Sequence, residues 1–98
     1  MKKVLINADF GGFSLNPEVI ERYRKLGGKF DNFHDDKPEF RSDPILIKIV
    51  EEFGIDKANN FVSSLAIIEI PDDVEFVIHE YDGYETIHEV HRSWSKEE

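Results

Sequence analysis

The chain has no cysteine, which excludes disulfide stapling, thiolate metal sites and thiol nucleophiles together. Its stability has to come from packing. Long apolar runs are also missing: Met1-Lys2-Lys3 leads into a few apolar residues before Asn7 and Asp9. Neither a secretory signal nor the roughly 20 apolar residues of a membrane helix is expected there. Positive charge is scarce, with 12 Lys and Arg against 21 Asp and Glu and a formal net charge of −9. That balance opposes long-range attraction to a polyanion, so a basic groove for nucleic acid is not expected. A small anion can still bind where arginines and helix N-termini converge. Internal repeats and low-complexity tracts are absent as well. The expectation is a soluble cytoplasmic protein without a membrane partner.

What is present is enough apolar material to fold, 40 % of 98 residues, with eight Phe among them. The length suits a single domain, residues 1–98, around one modest core. Lys3 to Ala8 alternates as a strand and stops at Gly11-Gly12. Asn16 as N-cap and Pro17 at the first helical position then predict a helix, with Leu15 stapled onto Ile20. Val19, Ile20, Tyr23 and Leu26 share its inner face, and Gly27-Gly28 ends it. Lys29 to Arg41 reads as a loop with its three phenylalanines tucked inward. A second helix is capped by Asp43, begins at Pro44, spaces Leu46, Ile49, Val50 and Phe53 along one side, and ends at Gly54. Ile45 and Ile47 broaden that stripe, which predicts cover from a sheet and from a second surface such as another subunit. Gly54 to Ser64 reads as a connection.

Leu65 to Ile70 forms a β-rich run, and Asp82-Gly83 predicts a two-residue type I′ hairpin joining Val74–Tyr81 to Tyr84–Trp94. Such a turn pairs Tyr81 with Tyr84, Ile78 with Ile87 and Phe76 with Glu89. Val74, Phe76, Ile78 and Ile87 then face the core. Val77, His79, Tyr81, Tyr84, Thr86, His88, Val90, Arg92 and Trp94 lie on the other face, whose aromatic character suits an interface or a ligand platform. The fold class expected is α+β: an antiparallel sheet of the closing hairpin, the Leu65–Ile70 strand and the N-terminal strand, with two helices packed on one face.

Three groups of residues bear on chemistry, each with a structural alternative. The turn at Gly11-Gly12 before a capped helix suits either a tight bend or a loop offering backbone N–H groups to a phosphate. His79 and His88 are diagonal neighbours on the hairpin, and either surface imidazoles or two metal ligands fit that placement; two ligands alone do not make a site, and no metal is expected. Arg41 and Arg92 suit bidentate phosphate contact, or pairing with the many carboxylates of this chain. The carboxylates fall mostly in adjacent pairs at loops and element ends, where solvation and capping explain them. No nucleophile, base and oxyanion donor converge, so an enzyme is not expected, nor a cofactor.

The stretches VLINADFGGFSLNPEVIERY, FRSDPILIKIVEEFG with the following KANN, and LAIIEIPDDVEFVIHEYDGYETIHEVHRSW, in this order, cover nearly the whole chain. Together they resemble a group of small phage proteins, the Thoeris anti-defence sponge family. The resemblance implies a phage α+β oligomer, a dimer or a trimer of dimers, in the cytoplasm of an infected bacterium. Such a protein sequesters glycocyclic ADP-ribose made by host TIR-domain proteins without degrading it; some members also hold CBASS cyclic oligonucleotides at a separate site. For such a nucleotide-like ligand, Phe10, Phe61 and Trp94 are the candidates for stacking a purine, Arg41 and Arg92 for the phosphates, and Asn60 for ribose hydroxyls. The charge of −9 supports an alternative function, an acidic DNA mimic that occupies a host nuclease or restriction enzyme.

Overall fold

The computed structural model describes residues 1–60 and 63–90. Its elements are β1 (Lys2–Asn7), α1 (Pro17–Lys25), α2 (Pro38–Arg41), α3 (Pro44–Phe53), α4 (Ile55–Ala58), β2 (Leu65–Ile70), β3 (Phe76–Tyr81) and β4 (Tyr84–Glu89). This is an α+β fold, and its strand pairs are all antiparallel. No described helix is long and apolar enough to cross a membrane.

The helix ends follow local chemistry. Asn16 Oδ1 accepts the Glu18 amide at 2.8 Å and Asp43 Oδ1 accepts that of Ile45 at 2.9 Å, each ahead of a proline that has no N–H to satisfy. Gly54, at φ 87°, ends α3. One detail differs from expectation: α1 stops at Lys25, so Leu26 becomes the C-cap and turns outward, half exposed.

The strands divide into two ribbons, β1–β2 and β3–β4, where a single joined sheet was expected. The reason lies in β1, whose Val4, Leu5 and Ile6 are all buried. Leu5, with Leu65 and Ile67 of β2, faces the helices and joins Val19, Tyr23, Leu46, Ile49 and Val50 in the larger core. Val4 and Ile6 face the opposite way, against Phe76 and Ile78 of the hairpin. The β1–β2 ribbon is thus the middle of three layers, and the hairpin packs across it by side chains where edge-to-edge pairing was expected.

The 29–41 segment straps the helices. Phe33 and Phe40 are buried, Phe30 half-buried, and the rings of Tyr23, Phe33 and Phe40 meet edge to face with centroids 5.8–6.1 Å apart. Its last residues coil into the single turn α2. Ile47 of α3 is buried and the half-buried Ile45 packs on the same core, so much of the broad stripe of this helix is covered from within the chain. The Tyr23 hydroxyl donates to Asp43 Oδ2 at 2.6 Å and accepts the Phe30 amide at 3.2 Å, tying α1, the strap and the start of α3. Burial, helped by the Asp43 bond, pushes the Tyr23 phenol up to about 12.

The hairpin register is the one expected, Tyr81 opposite Tyr84, Ile78 opposite Ile87 and Phe76 opposite Glu89. Asp82 and Gly83 both adopt positive φ, 52° and 88°, as a type I′ turn requires. Gly83 is also boxed in: a Cβ there would press on the Gly12 amide nitrogen and lie 2.8 Å from that of Gly11. The two glycine turns, far apart in sequence, are in direct contact.

Candidate functional site

The turn contact is fixed by Asn7, the last residue of β1 and fully buried. Its side-chain amide donates to Gly83 O at 2.7 Å and Asp9 O at 2.6 Å, while Oδ1 accepts the Ser64 amide at 2.6 Å. Three backbone segments converge on one side chain. On either side of the contact lies a hollow. The larger, about 430 Å³, runs between Phe13, His34, Asp35 and Asp36 on one side and Glu80 and Glu85 on the other. The smaller, about 340 Å³, is formed by Phe10, Gly11, Gly12, Glu80, Asp82 and Gly83.

Arg41 closes the larger hollow from inside. Fully buried, it makes a bidentate pair with Glu85, Nη1 to Oε1 at 2.6 Å and Nη2 to Oε2 at 2.9 Å. Its Nε donates to Asp35 O at 2.8 Å, Nη1 reaches Leu5 O at 3.3 Å, and the guanidinium carbon lies 3.5 Å from the Phe13 ring centroid. Glu85 Oε1 accepts the Asn7 amide at 2.8 Å as well. The expectation that Arg41 contacts a ligand phosphate is therefore corrected: its charge is neutralised by Glu85 and its donors point into the protein. It holds the strap, β1 and the hairpin together.

Phe10 lines the smaller hollow. It is 56 % exposed, and its ring meets Tyr84, 39 % exposed, at a centroid distance of 5.6 Å and a 53° tilt. The bond from its own amide to Asp9 Oδ1, 2.8 Å, fixes the backbone behind it. Asn60 sits elsewhere, in a turn where its amide donates to Ser63 Oγ at 2.9 Å and its carbonyl accepts the Ser63 amide at 3.1 Å. It lines neither hollow. Phe61, Arg92 and Trp94 lie outside the described residues.

The carboxylates of this region are mostly engaged. Glu80 Oε2 accepts the Gly83 amide at 2.5 Å and so braces the turn, and Asp35 Oδ1 accepts the Lys37 amide at 3.0 Å. Asp36 and Asp82 are exposed. The hollows thus offer acceptors to a hydroxyl or amine, with aromatic surface at Phe10 and Tyr84. His79 and His88 stack at 4.1 Å with an interplanar angle of 25°, and Thr86 Oγ1 lies 2.9 Å from His88 Nε2. Among the described residues no group of three or more His, Asp or Glu side chains is arranged to hold a metal ion.

Glu85 and Asn7 are the two residues that sequence reasoning missed. For Glu85 the signal was available: the hairpin register that puts Ile78 and Ile87 inward also puts Glu85 inward, and a carboxylate on a core face calls for a buried cation. For Asn7 only its place at the end of an apolar strand hinted at burial. No protein-family model, no curated protein and no solved structure matches the chain.

Proposed function

We propose that this chain is a binding protein that sequesters a small nucleotide-like signal such as glycocyclic ADP-ribose without turning it over. In this reading it works as a homo-oligomer in the cytoplasm of a phage-infected bacterium. The resemblance of its sequence stretches to the Thoeris anti-defence sponges motivates the reading. The observation that carries it is the exposed Phe10 ring, which lines the smaller hollow and meets the ring of Tyr84. A purine stacks on such a ring, and the neighbouring Asp82 and Glu80 carboxylates accept from ribose hydroxyls. The phosphates then need cationic partners other than Arg41, and Arg92 is the candidate that the sequence offers.

The acidic-mimic alternative draws less support, because several carboxylates are neutralised locally. Glu51 meets Lys3 at 2.5 Å, Glu52 meets Arg22 at 4.0 Å, and Glu85 is buried on Arg41. A phosphate mimic needs its charges free and regularly spaced.

Titration calorimetry with glycocyclic ADP-ribose tests the proposal. Binding at micromolar protein is expected, with the ligand recovered chemically intact. Phe10→Ala, a change at an exposed ring, should weaken it by about tenfold or more, the usual scale of base–aromatic stacking. No heat and no change in ligand mobility would refute the reading.

A further inference from the structure

We infer that the free edge of β2 is a docking site for an extended, basic segment of another protein, which pairs with Ile67 and Glu69 as an added strand. The site is separate from the two hollows, which β2 does not line. The phase of the β1–β2 ladder identifies the edge. Ala8 N donates to Ser64 O at 2.7 Å, one step beyond the Asn7–Leu65 pair. Bonded and non-bonded pairs alternate in an antiparallel ladder, so the backbone groups of Leu5 and Asn7, and of Leu65, Ile67 and Glu69, point away from it. On the β1 side they are engaged: Leu5 O accepts Arg41 Nη1 at 3.3 Å, and the Asn7 amide donates to Glu85 Oε1 at 2.8 Å. On the β2 side the Leu65 amide donates to Asn59 Oδ1 at 2.8 Å. Among the described residues, nothing pairs with the N–H and C=O groups of Ile67 and Glu69.

This edge is also the least guarded against pairing. In the hairpin Val90 N donates to Glu75 O, which turns the backbone groups of 76, 78 and 80 and of 85, 87 and 89 outward. Those edges carry glutamate at 80, 85 and 89, and inward-facing charges of this kind discourage a further strand. The β2 sequence LAIIEI has no proline or lysine, pairs without a bulge, and carries Glu69 as its single charge. Ile68 is 38 % exposed and Ile67 and Ile70 are half-buried, so an added strand meets apolar side chains on both faces of the ribbon. Main-chain bonds then supply affinity and alternate side chains supply selectivity. Charge selects the occupant. Glu69 is exposed, and its cross-strand partner Lys3 is bound to Glu51 at 2.5 Å. Asp73, just beyond the strand, is exposed too. A lysine or arginine on the incoming segment therefore meets carboxylates, and a chain at −9 attracts it from a distance. A second copy of this chain brings the same excess of acid to the contact.

Nuclear magnetic resonance of the full chain, titrated with a short synthetic peptide alternating valine and lysine, tests the site. Saturable binding is expected below about 1 mM peptide, with slowed amide exchange at Ile67 and Glu69. The same peptide N-methylated along its bonding edge should bind on the order of tenfold more weakly, since it cannot donate to the Ile67 and Glu69 carbonyls. A valine–glutamate peptide should bind more weakly than the lysine one. Glu69→Pro removes an outward N–H that the β1 ladder does not use, and should likewise weaken binding on the order of tenfold. Glu69→Lys leaves every backbone group in place and should reverse the preference between the two peptides. Circular dichroism of both variants should match the wild type. No binding of the lysine peptide, equal binding of its N-methylated form, or protection confined to β3 and β4 overturns the inference. So does slowed exchange at Ile67 and Glu69 that grows with the concentration of the chain alone and that the peptide does not displace, which would assign the edge to a second copy.

Discussion

At the scale of single residues, the Arg41–Glu85 pair decides the most. Removing one partner leaves the other charged and buried, whereas replacing both with apolar groups of similar volume does not. Glu85→Gln should lower the free energy of unfolding by about 3–5 kcal/mol in urea denaturation, and Arg41→Met combined with Glu85→Leu should recover most of the loss. If Glu85→Gln unfolds at the wild-type urea concentration, the pair does not hold the layers together. The sequence left two uses open for Arg41, phosphate contact or internal pairing. An arginine beside acidic residues looks alike in both cases until its partner is known. That partner is 44 positions away and was visible only through the hairpin register. Asn60 poses the same difficulty, since an asparagine in a turn serves its own backbone as readily as a ligand.

At the scale of elements, the caps and turns were the readable part. Asn16-Pro17, Asp43-Pro44 and Asp82-Gly83 each combine two local preferences that agree, and each stands where the structure has it. How elements grip one another was not readable in this way. The bond from Tyr23 to Asp43 joins α1 to the cap of α3, and the phenol, raised to about 12, is held neutral in the folded state. Unfolded, a tyrosine ionises near pH 10, so above that the unfolded chain releases the proton more readily than the folded one. The stabilisation is fully present below about pH 10 and is lost as pH rises towards about 12. Unfolding followed across this range should show the decline in the wild type, and Tyr23→Phe should be less stable at neutral pH yet lose less between pH 10 and 12. Equal declines in the two proteins would place the alkaline sensitivity elsewhere.

For the whole molecule, the unequal cores set the order in which layers come apart. The helical side of the β1–β2 ribbon buries a broad aromatic and aliphatic cluster; the hairpin side relies on Val4, Ile6, Phe76 and Ile78 with the Arg41 and Asn7 networks. Amide hydrogen exchange read by mass spectrometry should show β3 and β4 opening at lower free energy than α3, as a unit. Matching protection in both would mean that the layers unfold together. Alternation along β3 and β4 told which side faces inward, but it could not say whether the ribbon joins another strand edge or lies flat across it. That choice depended on Val4-Leu5-Ile6 having apolar neighbours on both sides, a property of the assembled layers that no local pattern encodes.

The meeting of Gly83 with Gly11 and Gly12 carries one more consequence. A side chain at Gly83 would collide with the Gly11-Gly12 backbone, and Asn7 bonds to Gly83 and to Asp9 at the start of the other bend, so their lengths are mutually locked. An extra residue in either bend would lever the hairpin away and strain the salt bridge on its inner side.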